Sequence, residues 1–165
     1  MRSLNWEEYF YYKEGNLFWR ITLNNRAKKD KQAGHKHNSG YIHVQVNKKS
    51  YKVHRIVYEM HFGVISENFI VDHKDGDKSN NTIENLRLAT PSQNLFNSLA
   101  TSRNKTGFKG VRYSNTYGGY YAQIMLNGKQ KHLGVYSSAE LASEAYNKAA
   151  KDLQGEFNVL YRNSK

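Results

Sequence analysis

The alternation of apolar and polar positions divides the chain into short strands, a few helical segments and polar stretches between them. Asn16 to Thr22 and Tyr41 to Val46 combine aromatic and β-branched residues in strand-like runs, and Gly15 and Gly40 punctuate them. The intervening Asn24 to Ser39 is rich in Lys, Asn and His, which predicts a mobile basic loop. Val53, Ile56, Val57 and Met60 then recur at helical spacing until Gly63, predicting a short helix over 52–61.

In the centre, Phe69-Ile70-Val71 and Leu86-Arg87-Leu88-Ala89 read as two short strands joined by a long turn containing Asp75-Gly76 and Asn80-Asn81. A helix follows with clear start signals: Thr90 as N-cap, Pro91 at the first helical position and Gln93 where a capping box needs it. The order is therefore strand, loop, strand, helix. Residues 97–107 lose hydrophobic periodicity and predict a linker, placed at 99–106 between units at 1–98 and 107–160.

The last unit opens with strand-like runs at Lys109 to Tyr113, Tyr120 to Leu126 and Lys131 to Tyr136. Tyr117-Gly118-Gly119 and Asn127-Gly128 separate them, and Asn-Gly between alternating runs is a strong hairpin signal. Ser137 to Glu140 then has the spacing of a second capping box. Leu141, Ala145, Ala149 and Leu153 are expected to line the inner face of the helix that follows, up to Gly155. The fold class is α+β, ending in a three-stranded antiparallel sheet packed on one helix.

Composition narrows the function. With 165 residues, 38% hydrophobic content and no cysteine, the chain can bury a core but has neither disulfides nor a thiolate zinc site. No apolar run approaches membrane-spanning length and residues 1–6 lack the apolar core of a signal peptide, so a soluble, intracellular protein without a membrane partner is expected. The formal charge is +11, and its distribution is uneven. Residues 1–60 carry 12 basic and 5 acidic groups and residues 101–165 carry 10 and 4, whereas residues 61–100 carry 3 and 5. Basic flanks suit a nucleic-acid backbone, and an acidic centre suits a cation.

The acidic centre also holds the candidate chemistry. Phosphodiester hydrolysis needs a base for water and a divalent cation for the charge developing on phosphate. His73 can supply the base, Asp72 a metal ligand, and Asn94 in the first turns of the capped helix a second oxygen. A calcium loop does not fit: counted from Asp72, Lys74 occupies the third position and Ile83 the twelfth. Asn80 and Asn81 read as turn formers, and His54 as a helix residue near the core that can reach the site.

Val53-His54-Arg55-Ile56-Val57, Val71-Asp72-His73-Lys74-Asp75-Gly76, Asn80-Asn81, Asn85-Leu86-Arg87 and Gln93-Asn94 together resemble the HNH endonucleases of the phage and intron homing type. The resemblance covers about residues 50–98 and implies a ββα-metal core at about 68–98. It implies His73 as general base and Asp72 and Asn94 as ligands of one Mg²⁺ or Mn²⁺ ion. By the same resemblance Asn85, grouped with His73 in the catalytic set, ties the loop together by hydrogen bonds. Asn97, one turn beyond Asn94, is the alternative second ligand. No organic cofactor is implied, and a phage origin would place the protein in the cytoplasm of a bacterial host. One active site per chain makes nicking natural; a dimer or two successive events would give a double-strand break.

In the last unit, Gly110-Val111-Arg112, Tyr121-Ala122-Gln123-Ile124, His132-Leu133-Gly134-Val135-Tyr136 and Ala139 to Tyr146 resemble the APETALA-type, or ethylene-response-factor, DNA-binding domain. The resemblance places Lys109 and Arg112 where that family touches DNA. His132 and Tyr117 stand where it carries tryptophan and Ser114 where it carries arginine, so its target sequence does not transfer. Lys129 and Lys131 add charge on the strands. In the N-terminal part, Arg20, Arg26, Lys28, Lys29 and Lys31 are expected to approach phosphates. The expected partner is double-stranded DNA. A DNA-binding regulator on a catalytically idle HNH fold is the competing reading, and joint retention of Asp72, His73 and Asn94 favours the nuclease.

Overall fold

The structure is a computed structural model that describes residues 4–98, 103–126 and 128–157. In chain order its elements are α1 (Trp6–Tyr9), β1 (Phe10–Lys13), β2 (Asn16–Trp19), β3 (Gln32–Ala33), β4 (His35–Lys36), β5 (Ile42–Val46), β6 (Lys49–Lys52) and α2 (Val53–Phe62). Then follow β7 (Ile70–His73), β8 (Leu86–Ala89), α3 (Pro91–Phe96), β9 (Val111–Ser114), β10 (Gly119–Leu126), β11 (Lys129–Tyr136) and α4 (Ala139–Gln154). The class is α+β, as expected. Among the described residues no helix is long and apolar enough to cross a membrane.

The chain divides into two compact units, Met1–Ala89 and Thr90–Lys165. The first contains three small antiparallel sheets, β1-β2-β3, β4-β5-β6 and the two-stranded β7-β8. Two hairpins turn on residue pairs with positive φ, Glu14-Gly15 and Asn47-Lys48, a geometry whose twist matches that of the flanking strands. Phe10, Leu17, Val46, Val53, Ile56 and Val57 are almost fully buried and form one core, which Val71 and Leu86 join from the β7-β8 ladder. That ladder is thereby fixed against α2, and β7 ends at His73.

Several expectations change here. The segment from Asn24 to Ser39 is not a loop throughout, because β3 and β4 lie in it and pair with β2 and β5. Strands of two residues carry no periodicity, so only their partners define them. The first strand stops at Trp19 instead of continuing to Thr22, and α1, β1 and β6 were not expected at all.

In the second unit α3 starts as anticipated. The Thr90 hydroxyl accepts from Gln93 N–H while the Gln93 side chain accepts from Thr90 N–H, and Pro91 stands at the first helical position. The later sheet has the order β11-β10-β9 with α4 packed on it, and Val111, Ala122, Ile124, Ala142, Tyr146 and Ala150 form its core. Leu126 pairs with Lys129, so the hairpin is as tight as predicted, although Asn127 of the expected Asn-Gly turn lies outside the described residues. Residues 99–102 of the expected linker lie outside them as well.

Helix α4 differs by one residue. Its N-cap is Ser138, whose hydroxyl accepts from Leu141 N–H, so Glu140 is not at the third helical position and the expected box from Ser137 does not form. The buried face is Ala142, Tyr146 and Ala150, while Leu141 is 46% exposed. Ala149 and Leu153 still pack against this core as partly buried neighbours. Tyr146 fixes the rotation, because its large ring must enter the space above Gly110.

Candidate active site

Strand β7 brings Asp72 and His73 to its end, and both are buried, at 6% and 3% exposure. Their side chains meet different partners, as strand alternation requires. Asp72 faces Arg87 across the ladder, and its Oδ2 accepts from Arg87 Nε at 3.0 Å and lies 2.9 Å from the terminal guanidinium nitrogen. His73 Nε2 lies 3.1 Å from the Oδ1 of Asn81, itself 3% exposed. An amide oxygen only accepts, so it is the Nε2–H form of the ring that bonds to Asn81.

Beneath His73 lies His54 of α2, edge-on with ring centroids 4.9 Å apart. His54 is buried, its Nδ1 has no hydrogen-bond partner, and burial pushes its pKa down to about 3, helped by the neighbouring His73. It is thus neutral at ordinary pH and serves as an aromatic wall. Tyr41 completes the wall, 5.0 Å from the His54 ring and 6.0 Å from the His73 ring. Burial and the charge of Asp72 raise the Tyr41 hydroxyl above its ordinary pKa.

The loop from Lys74 to Asn85 is held by its own polar groups. The Asn85 amide oxygen accepts from Asp75 N–H at 3.0 Å, and its nitrogen donates to Asp75 Oδ1 and to the Asn80 carbonyl, both at 2.9 Å. Asn80 donates to the other Asp75 oxygen at 2.7 Å and accepts from the Thr82 hydroxyl at 2.9 Å. Asp77 accepts from the backbone and hydroxyl of Ser79, and those bonds hold its carboxyl below the usual range. Asp75 and Asp77 are therefore built into the turn. Asn80 is a turn former, but Asn81, grouped with it in the sequence, instead holds the His73 ring. Only the fold distinguishes these two adjacent asparagines.

In the second unit, Asn94 lies half-buried in α3, and Asn97 is its buried C-cap. Lys109, expected to meet DNA, donates its ammonium to the carbonyls of Leu95, Phe96 and Ser98 at 2.6 to 2.9 Å. A cation among the terminal carbonyls of a helix is favoured by their partial negative charge, so this lysine serves α3. Arg112, Tyr117, Lys129, Lys131 and His132 are all exposed. Tyr121 stacks on His132 at 6.1 Å, with Tyr117 edge-on to both, and Tyr121 pairs with Arg112 across the sheet. Arg20, Lys28 and Lys29 are exposed in the first unit.

Residues 51–95 match the HNH endonuclease family. The chain is 40% identical over 107 residues to an uncharacterized HNH endonuclease, L560, of Acanthamoeba polyphaga mimivirus, covering 64% of this chain and 54% of that protein. It is 30% identical over 117 residues to Protein 3.8 of Escherichia phage T7, covering 67% of this chain and 96% of that one. It is also 43% identical over 53 residues to the DNA endonuclease I-HmuI of Bacillus phage SP01, covering 32% of this chain and 30% of that one. A solved structure of DNA binding and cleavage by the HNH homing endonuclease I-HmuI aligns over 90% of this chain and 85% of its own, at 24% identity and a TM-score of 0.43. The chain thus spans about half the length of the mimivirus relative and nearly all of the phage T7 relative. It belongs to the HNH endonuclease family.

Proposed function

We propose that the chain is a metal-dependent endonuclease that hydrolyses phosphodiester bonds of double-stranded DNA. The observation that carries this reading is His73, buried at the end of β7 with its Nε2 3.1 Å from the Asn81 amide oxygen and its neighbour Asp72 presenting a carboxylate. With Nε2 as the donor, Nδ1 is the nitrogen that accepts a proton from the attacking water. The neutral wall of His54 and Tyr41 keeps the imidazole in one orientation. Asn85 holds the loop that carries Asn81, and so acts on the ring through the backbone.

The donor set fits a hard divalent ion, because Asp72 and Asn94 offer oxygen and the chain has no thiolate. These two residues would hold one Mg²⁺ or Mn²⁺, which offsets the charge developing on the phosphate and the leaving oxygen. In the absence of an ion, Arg87 offsets the Asp72 carboxylate.

On this reading the nuclease domain runs through residues 1–98, with 99–106 as linker and 107–160 as an APETALA-type DNA-binding domain. Arg112, Tyr117 and His132, grouped with Tyr121 on the sheet face away from α4, would enter a groove, where a sheet can reach base edges, while Lys129 and Lys131, cross-strand from Leu126 and Ile124, would reach the backbone from the strand's other side. Arg20, Lys28 and Lys29 add backbone contacts. Lys109 is left out of this set because α3 uses its ammonium. Similarity to I-HmuI of Bacillus phage SP01, a DNA endonuclease, supports this reading.

The test is supercoiled plasmid incubated with protein and Mg²⁺, beside an EDTA control and the His73→Ala variant. Nicked or linear product is expected only from the parent with metal, while His73→Ala still retards DNA. Equal nicking by His73→Ala would sink the mechanism, and binding with no cleavage of any DNA by the parent would favour the regulator.

A further inference from the structure

Two lysines outside the motif converge on Tyr41. The Lys52 ammonium lies 4.4 Å from the centroid of its ring and that of Lys78 lies 4.9 Å from it. Lys52 comes from the start of α2, and Lys78 from the loop between β7 and β8. The Lys78 stem rests on Gly40 and its ammonium donates to the Ser39 carbonyl at 3.1 Å, so that charge is fixed in place. Both lysines are exposed, and among the described residues neither pairs with a carboxylate. The same Tyr41 ring stands 6.0 Å from that of His73.

Each ammonium rests against the Tyr41 ring, whose negative charge offsets only part of its own, and no carboxylate pairs with it among the described residues. An anion at the edge of this ring would complete the neutralisation. The charges also lie one ring away from His73, on the Tyr41 side of the imidazole. A DNA strand whose reacting phosphate sits at His73 carries its next phosphate about one nucleotide step further along.

We propose that Tyr41, Lys52 and Lys78 form a backbone-phosphate site beside His73, taking the DNA phosphate adjacent to the one attacked. The inference rests on the nuclease reading for what occupies His73. Because the contacts are to phosphate, the site sets the register of the strand and adds no base preference. Tyr41 acts as the spacer that holds both charges at a fixed distance from the imidazole.

The test separates this site from the nuclease reading. In a His73→Ala background, which leaves DNA uncut, Lys52→Met, Lys78→Met and the double variant are titrated with a mixed-sequence duplex at several salt concentrations. Each substitution is expected to lower the slope of log affinity against log salt by about 1, and the pair by about 2. With His73 restored, a neutral methylphosphonate is placed at each phosphate beside the cut in turn. One position is expected to slow the parent and to have no further effect on the double variant. Lys→Arg substitutions should retain the parental slope, and melting curves show that each variant folds. An unchanged salt slope in the double variant would overturn the proposal. So would a methylphosphonate penalty that adds in full to the lysine substitutions at every position. If no DNA is cut by the parent, the nuclease reading fails, yet the salt slopes still judge the lysines.

Discussion

Asn81 holds the imidazole of His73 through a bond of 3.1 Å between its amide oxygen and Nε2, and both side chains are buried. A base must have its lone pair on the nitrogen that meets water, and a neutral imidazole has two tautomers of similar energy. The amide oxygen chooses between them. Asn81 is a positioning residue in this scheme, acting through the ring it orients.

Replacing Asn81 by Ala is therefore expected to slow cleavage by about 10- to 100-fold, the usual cost of losing an orienting partner of a functional histidine. It should also destabilise the chain by about 1 to 3 kcal/mol, because a buried N–H loses its acceptor. Asn81→Asp keeps an acceptor at the same place and should recover part of the rate. Long-range proton–nitrogen NMR of the His73 ring gives an independent reading, since the Ala variant should populate both tautomers. A single Nε2–H tautomer in Asn81→Ala would remove the proposed role.

Arg87 is expected to be structurally indispensable while no metal is bound. The Asp72 and Arg87 side chains are 7% and 10% exposed, so the carboxylate cannot turn to bulk water when its cation is removed. Arg87→Met should cost about 3 to 5 kcal/mol in EDTA, the range for breaking a buried pair on one side. Mg²⁺ supplies positive charge at the same carboxylate if Asp72 is a ligand, so it should raise the melting temperature of the variant more than that of the parent. Equal shifts in the two proteins would argue against Asp72 as a ligand.

Much of this architecture is legible in the chain because local signals and tertiary packing agree. Thr90, Pro91 and Gln93 define the start of α3 without help from any distant residue, and Leu126 and Lys129 close their hairpin where a turn signal stands between them. Other features depend on partners that sequence does not reveal. Trp6 to Lys13 has no punctuation, and its division into α1 and β1 follows from Phe10 entering the core opposite Trp19. Lys109 looks like any basic residue on a DNA-facing strand until three carbonyls near the end of α3 surround it. Lys52 and Lys78 are separated by 26 positions, and only the fold brings them to one tyrosine.

His54 should make stability fall with acid. Its pKa is lowered from 6.5 to about 3 in the folded chain, first by burial and then by His73 and nearby cations. Above pH 6.5 both folded and unfolded states hold it neutral, and it adds no pH dependence. Below that, the unfolded chain takes up a proton that the folded chain refuses, so stability is lost progressively until pH approaches 3. Each unit in this window costs up to about 1.4 kcal/mol. Between pH 7 and pH 5 the parent should therefore lose about 2 kcal/mol more than His54→Phe, which keeps a ring against Tyr41 and His73. Urea unfolding of both proteins at the two pH values measures the difference. Parallel losses would mean that His54 takes up a proton in the folded state.

In the second unit, Gly110 should tolerate no side chain, although it precedes a strand where alanine is ordinarily acceptable. Its φ is +74°, and a Cβ there would run into the Tyr146 ring and approach the Gln123 carbonyl at 2.7 Å. The ring belongs to the core and the carbonyl is backbone of the central strand β10, whose Gln123 N–H already donates to the Gly110 carbonyl at 2.9 Å, so neither neighbour can move cheaply. Gly118 provides the matched control, because its φ of +63° is similar but nothing lies within 4 Å of an added Cβ. Gly118→Ala should cost about 1 kcal/mol from backbone conformation alone. Gly110→Ala adds overpacking of about 1 to 3 kcal/mol to the same backbone term. Thermal melting of the two variants separates these contributions. If Gly110→Ala melted no lower than Gly118→Ala, the packing of Tyr146 over Gly110 would not be what fixes the rotation of α4.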